Sequence, residues 1–443
     1  MTRAQRFRRV AGMSRWFETR YTPLGRLLGG LAAAAAIFAT DPSRTHANVL
    51  LAGLFALYCV AAVNSARWHP SLRVRRRLPV RGVAGSPLTY IVEITNTGKR
   101  VERALVVREC LLEPDATLDI AVPTWPDEVS RENWFDRRVG FRRWLRARRW
   151  LTGATIDPST AAELPPGAPL AVTVTLHPLR RGSIRLAAVE ISRPDVLGIR
   201  FATVRIPLAS DLLILPRIHP LARFSPAARG DGRPESAQRY ARRSSGQEFH
   251  ALREYRVGDP LKHIHWPASA RRGQHVVKQF DGDDTAPWQL LLDPYAEPGP
   301  FEALIETAAS LVRACGRFAG RTPNVTWLAP DEAESVGAAP RDEMTLLESL
   351  ALRPRALIDT FDDVATRFSG PLVTTALFIT AHRTAARVSF AARLCSMQSG
   401  SRVIIIDEVA TSASGESSNV IRLRPACLGE DLANLVLGPD GTL

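Results

Sequence analysis

Between Glu254 and Arg271 the chain gathers side chains able to carry acid–base chemistry: Glu254, Asp259, Lys262, His263, His265 and Arg271. A carboxylate such as Glu254 or Asp259 beside a histidine is the pairing that general acid–base catalysis uses. His250, His263, His265 and His275 also raise the question of zinc. His263 and His265 share one face of a strand, but no cysteine or HExxH partner accompanies them, so hydrogen-bonded or solvated histidines are expected. The chain has no GxxxxGK[ST] phosphate loop and no GxSxG elbow, and Ser244–Ser245 is a turn-like pair without a base. A structural reading uses the same charges differently. A tight Gly258–Asp259 turn, a buried Trp266 and buried arginine–carboxylate pairs would fasten this segment to the domain that follows. The structural reading is preferred, so the chain is expected not to be an enzyme and to need no cofactor.

At 443 residues the chain is long enough for two or more folded units. Lys and Arg outnumber Asp and Glu by 58 to 44, a formal +14 that suits nucleic acid, anionic lipid or an acidic protein. No zinc-finger or RNA-binding signature accompanies the charge, and much of it flanks apolar segments. Membrane surface therefore leads, and no nucleic acid is expected. The cysteines Cys59, Cys110, Cys315, Cys395 and Cys427 are odd in number and scattered, which fits a reducing compartment.

Ala47–Val63 (ANVLLAGLFALYCVAAV) carries no charge and, with its flanks, approaches the ~20 residues a spanning helix needs. Leu27–Ala39 is shorter and spans only with its flanks, Arg26 snorkelling to the headgroups. A cleaved signal peptide is the rival reading of this first segment; the second apolar run close behind it favours a hairpin over 24–66. Arginines 3, 6, 8, 9, 15 and 20 precede the first span and arginines 67, 73, 75, 76 and 77 follow the second, whereas the connection holds only Arg44. The positive-inside rule then puts a basic N-terminus (1–23) and everything after residue 66 in the cytoplasm of an inner-membrane, multi-pass protein. Trp16, Tyr21 and Trp68 stand where interfacial anchors belong.

Over 72–216, LTYIVEIT, ALVVRE, PLAVTVTLHPL, SIRLAAVEI, FATVRIPL and DLLILP read as strands of an all-β sandwich-like domain. Within it, near 134–151, lies RRVGFRRWLRARRW. Phe141, Trp144 and Leu145 there share one helical face among arginines. Arg142, Arg143, Trp144, Arg146, Arg148 and Arg149 are the residues such a stretch would lay on anionic lipid, each basic residue contributing about 1 kcal/mol; an exposed loop is the competing reading. Residues 217–285 connect, and 286–443 alternate strands with helices. Their continuously apolar strands (WQLLLD, NVTWLA, PLVTTALFIT, RVIIID) imply a mostly parallel sheet covered on both faces, followed by a tail.

Within the connecting segment, 246–280 (GQEFHALREYRVGDPLKHIHWPASARRGQHVVKQF) resembles the diagnostic segment of the bacterial domain-of-unknown-function family numbered 58. The matching residues are Gly246, Glu248, Phe249, Arg253, Glu254, Tyr255, Gly258, Asp259, Ile264, Trp266, Ser269, Ala270 and Arg271. Arg181-Gly182 and the run Arg193–Gly198 (RPDVLG) look like an upstream element of that family. The resemblance implies two N-terminal transmembrane helices, a β domain and a von Willebrand factor A-like α/β domain. It also implies a scaffold or adaptor role in complex assembly or envelope maintenance. The implied partners are a MoxR-type AAA+ ATPase and a transglutaminase-like membrane protein. Arg253, Glu254, Asp259 and Arg271 are then expected to form a polar network at the domain junction. The chain departs from the family at His265, Pro267 and Arg272. It departs also at the metal loop, where Asp293-Pro-Tyr-Ala-Glu297 stands in place of Asp-x-Ser-x-Ser. Asp293 and Glu297 are the residues left to hold a hard cation there, weakly. The alternative function is a membrane-bound enzyme acting on envelope precursors through the motif acids and histidines.

Overall fold

The computed structural model of the protein describes residues 3–38, 45–112, 134–221, 223–224, 249–254, 264–280, 288–319, 322–329, 342–368, 375–397, 401–407 and 419–437. The chain forms two compact units, one made of 1–218 and 344–354, the other of 219–343 and 355–443.

The first unit opens with three helices, α1 (Arg3–Arg20), α2 (Pro23–Phe38) and α3 (Thr45–Ala66). Residues 46–66 of α3 are long and apolar enough to cross a membrane; α2 is apolar but shorter, at 16 residues. Thr22 and Pro23 start α2 as the sequence dictates. The Thr22 hydroxyl accepts from the Gly25 N–H at 3.0 Å, and proline occupies the first helical position, where its missing N–H costs nothing. The two apolar helices touch, and the Tyr58 hydroxyl donates to the Gly25 carbonyl.

Nine strands follow among the described residues: β1 (Leu72–Arg77), β2 (Arg81–Val83), β3 (Leu88–Asn96), β4 (Glu102–Leu111), β5 (Ala154–Ile156), β6 (Ser159–Leu164), β7 (Pro169–Pro178), β8 (Gly182–Pro194) and β9 (Phe201–Leu215). They make two mostly antiparallel sheets, β1-β3-β7-β5 and β2-β9-β8-β4-β6. Alternation sets the core: Tyr90, Val92 and Ile94 of β3 are buried together with Val172, Val174 and Leu176 of β7 and Ile184, Leu186 and Ile191 of β8. FATVRIPL and DLLILP, two runs in the sequence, form one 15-residue strand whose register against β8 shifts between Leu186 and Ala188. Two helices, α4 (Trp134–Val139) and α5 (Phe141–Thr152), precede β5.

The second unit contains short β10 (Arg223–Phe224), the antiparallel pair β11 (Phe249–Glu254) and β12 (Val276–Phe280), and helix α6 (Trp266–Arg272). Its main sheet consists of β13 (Trp288–Leu292), β14 (Asn324–Trp327), β15 (Thr375–Thr380), β16 (Arg402–Ile406) and β17 (Val420–Leu423). All neighbours are parallel, in the order β14-β13-β15-β16-β17. Helix α7 (Pro298–Ala319) buries Phe301, Leu304, Ile305, Ala308, Leu311 and Val312, the stripe its periodicity predicts. Helices α9 (Phe361–Arg367), α10 (Ala385–Met397) and α11 (Leu428–Ala433), with short β18 (Val436–Leu437) beside β10, complete the unit.

Helix α8 (Glu343–Leu352) corrects the domain division expected from sequence, which gave all of 286–443 to the α/β domain. Residues 344–354 belong with the β-rich unit. Buried Arg181 donates to the carbonyls of Leu350 (3.1 Å) and Arg353 (2.8 Å), and Arg81 pairs with Glu348 at 2.5 Å. The Arg181 bonds meet carbonyls at the helix end, where intrahelical donors run out, and the Arg81 bond meets a side-chain carboxylate.

Candidate functional site

In an open parallel sheet, ligands bind outside the carboxyl ends of the strands, where successive crossovers leave in opposite directions. Here that position lies between β13 and β15, because the chain passes from β13 to β14 on one side and continues through β15, β16 and β17 on the other. Asp293 follows β13 and Thr380 ends β15. The Asp293 side chain is fully buried, and its carboxylate accepts from the Thr380 hydroxyl (2.6 Å), the Tyr295 N–H (3.1 Å) and two nitrogens of Arg387 (2.6 and 3.4 Å).

Arg387, near the start of α10, is equally sealed from solvent. Its guanidinium also reaches Thr384 (3.1 Å) and Asp359 (3.0 Å), and it lies 4.5 Å from the centre of the Phe361 ring. Asp359 alone of this group is about half exposed. Burial opposes ionisation of Asp359. The hydrogen bond from Arg387, the Phe361 N–H and the guanidinium charge outweigh that effect and hold its carboxyl below the ordinary value. Burial likewise works against the charge on Arg387, but its bonds to Asp293 and Asp359 more than compensate. The arrangement is a carboxylate at the sheet's ligand position, already neutralised by a cation of the chain itself.

The pair Asp293 and Glu297, expected to hold a cation weakly, differs in burial and in partners. Asp293 is buried and engaged by Arg387, whereas Glu297 is exposed at the start of α7. Five residues, 293–297, lead from the end of β13 to the start of α7.

The motif residues divide. Gly246, Glu248, Tyr255, Gly258 and Asp259, with Lys262 and His263, lie outside the described residues. Phe249, Arg253 and Glu254 belong to β11, paired with Phe280, Val277 and Val276 of β12. Trp266, expected to be buried, is 63% exposed. It opens α6 ahead of Pro267 and meets the edge of the His275 ring at 6.1 Å. Ser269 takes the buried role. Its hydroxyl accepts from the Val276 N–H (2.9 Å) and donates to the His265 carbonyl (3.0 Å), joining α6 to β12 beside buried Ile264 and Val276. Arg271 is exposed rather than sealed in an ion pair. The His265 ring accepts from the Ala268 N–H at 3.1 Å, so its place is that of a helix cap.

The basic stretch is also revised. Trp144, expected to lie on lipid, is 1% exposed, because α5 turns it toward the rings of Phe7 and Phe141 at 6.1 Å each. Arg142, Arg143 and Arg149 are exposed, while Arg146 and Arg148 are half-buried.

At the root of the apolar helices, the RPDVLG run does structural work that its sequence does not advertise. The Asp195 carboxylate accepts from the N–H groups of Ile199 (2.7 Å) and Arg200 (2.8 Å), closing a tight turn. The carbonyl of Ile199 accepts from the Thr22 N–H at 3.1 Å, and that of Gly198 from the Thr22 hydroxyl. Gly25 lies so close that a Cβ there would collide with the Ile199 carbonyl. Arg193 donates to Glu102 at 3.0 Å, and Glu102 accepts the indole N–H of Trp68 at 2.9 Å. Trp68 is therefore a buried member of the β core, not the interfacial anchor its position after α3 suggests.

No protein-family model matches the chain, and no curated protein matches it. Solved structures similar to parts of it include the CARDB domain of a Pyrococcus furiosus protein in complex with di-metal ions. It is 13% identical, with 33% of this chain and 89% of that chain covered at a TM-score of 0.16. A PapD-like domain of human CEP192 is also 13% identical, with 33% and 87% covered at a TM-score of 0.18. Likenesses at these scores bear no weight for fold or function.

Proposed function

We propose that the protein is a membrane-anchored scaffold whose α/β unit engages a partner through its surface, without a metal. The observation that carries this reading is the Arg387 guanidinium on Asp293. A site that must recruit a cation cannot keep its carboxylate already saturated by an internal one.

The anchor in this reading is a hairpin of α2 and α3. Residues 46–66 of α3 extend about 31 Å at about 1.5 Å per residue, enough for a hydrocarbon core of about 30 Å. Helix α2 extends about 24 Å and completes its crossing with flanking residues. The arginine bias keeps both ends, and both units, on the cytoplasmic face of an inner membrane. The resemblance of 246–280 supports a von Willebrand factor A-like identity for the α/β unit. It supports a MoxR-type AAA+ ATPase as partner, with a transglutaminase-like membrane protein in the same assembly and a role in complex assembly or envelope maintenance.

The test is purification of the tagged full-length protein in mild detergent, with mass spectrometry of what co-elutes. Near-stoichiometric recovery of a MoxR-type ATPase is expected. A monodisperse, cooperatively melting preparation that recovers no such ATPase contradicts the proposal. Point substitutions on the α/β surface serve better than deletion of 281–443, which would also strip α8 from the β-rich unit.

A further inference from the structure

Helix α1 has two unlike sides. Ala11 is buried and Phe7 faces the rings of Phe141 and Trp144, so one side packs on protein. Val10, Met13 and Phe17 recur at helical spacing on the other side with Trp16 beside them, and all four are exposed, Met13 by 60%. Arg6, Arg9 and Arg20 are exposed along that same side. Where α1 ends, the Asp195–Arg200 turn meets it. Tyr21 bridges to Arg200, and the turn's carbonyls hold Thr22. The tip of this turn is apolar and bare, with Val196 89% exposed and Leu197 beside it also exposed. Aromatic rings ring the junction, with Tyr21 5.8 Å from Tyr58 of α3 and 5.8 Å from Trp16.

We infer that the bare side of α1 and the Val196–Leu197 tip form a collar that beds into an anionic phospholipid leaflet around the root of the hairpin. This inference rests on the membrane reading proposed above and adds which surfaces, besides the spanning helices, meet lipid. The collar adjoins the apolar helices directly. Its apolar side chains reach the headgroup–acyl boundary while its arginines meet phosphate, the mixture by which in-plane helices hold to membranes. Tryptophan and tyrosine suit that depth. The RPDVLG turn thereby acquires a reason for its form: Asp195 stiffens a loop whose tip must stay apolar and exposed. Lipid contact passes from Trp144, which is buried, to α1 and this tip.

The test uses the full-length protein reconstituted in phosphatidylcholine–phosphatidylglycerol vesicles. The photo-reactive residue p-benzoylphenylalanine is placed singly at Met13, Val196, Phe55 or Leu357. Phe55 is exposed on α3, and Leu357 is exposed on the α/β unit. Irradiation is expected to add the mass of one phospholipid at Met13 and Val196, as at Phe55, and not at Leu357. Adducts at Phe55 but not at Met13 and Val196 overturn the collar and leave the anchor standing. Loss of the Phe55 adduct as well overturns the membrane reading itself. Adducts to protein at Met13 and Val196 assign the surface to a protein partner and refute the lipid assignment, and equal lipid adducts at Leu357 remove its specificity.

Discussion

Arg76 and Arg387 are both sealed from solvent against a carboxylate, yet their surroundings differ. Arg76 makes two bonds to Glu109 (3.0 and 2.7 Å) and spends its remaining nitrogen on the Leu208 carbonyl and the Ser210 hydroxyl. Tyr90 closes over the pair. Its hydroxyl is pushed well above the ordinary value, first by burial and then by the neighbouring Glu109 charge. The side chains of Arg76 and Glu109 are both closed to water. Arg387 instead bridges buried Asp293 to half-exposed Asp359, at the edge of a parallel sheet where ligands bind in folds of this kind. One pair is enclosed within sheets; the other fills a position. The difference shows why a buried ion pair is by itself weak evidence for a site, and why its place in the topology decides.

Breaking either pair from one side should have the largest effect. Glu109→Ala strands Arg76, and Arg387→Ala strands Asp293. Each is expected to destabilise its unit by about 3–5 kcal/mol, read as a lowered unfolding midpoint of purified full-length protein. Replacing Arg76 and Glu109 together with methionine and leucine should recover most of that loss, since no charge is then left buried alone. Next comes Arg193→Ala, which leaves Glu102 with Trp68 alone and should cost about 1.5–3 kcal/mol by the same measurement. The smallest effect belongs to Asp359→Asn. Its partner keeps Asp293, and its own carboxylate is half exposed, so about 0–1 kcal/mol is expected near neutral pH.

Asp359 also gives its ion pair a pH dependence that the enclosed Arg76–Glu109 pair lacks a half-exposed member to show. The Asp359 carboxyl titrates lower in the folded chain than in the unfolded one, where the ordinary value is 3.8. Its stabilisation is therefore complete above that ordinary value and is lost as pH falls through the lower folded value. The stability difference between wild type and Asp359→Asn should stay level from neutral pH down to about 4, then close below it. A difference that widens on acidification would mean that the Arg387 bridge does not favour the ionised carboxylate.

Sequence reading reached the elements whose signal is periodic. The alternation of β3 and the stripe of α7 carry their burial in their spacing, and the uncharged run of α3 carries its length. It missed what long-range pairing decides. Trp68 adjoins the apolar helix α3 in sequence, but its indole finds Glu102, and no local pattern announces that bond. Trp266 reads as core because it is large and aromatic. The buried residues of that segment prove to be Ser269, Ile264 and Val276, because a serine can satisfy both a carbonyl and an N–H where an indole has only one donor. Arg387 did leave a trace. It stands at i, with Phe390 at i+3 and Leu394 at i+7, the spacing of the buried face of α10. A charge at such a position requires a buried counter-charge, and Asp293 at the end of an apolar strand was available in the same reading.

Arg387 is the resident cation of the sheet's carboxyl edge. Calorimetric titration of Mg²⁺ and Mn²⁺ into the full-length protein in detergent tests it most directly. No saturable binding that depends on Asp293 is predicted. Saturable uptake by the wild type that Asp293→Asn or Glu297→Gln abolishes would contradict the account and make this edge a metal site.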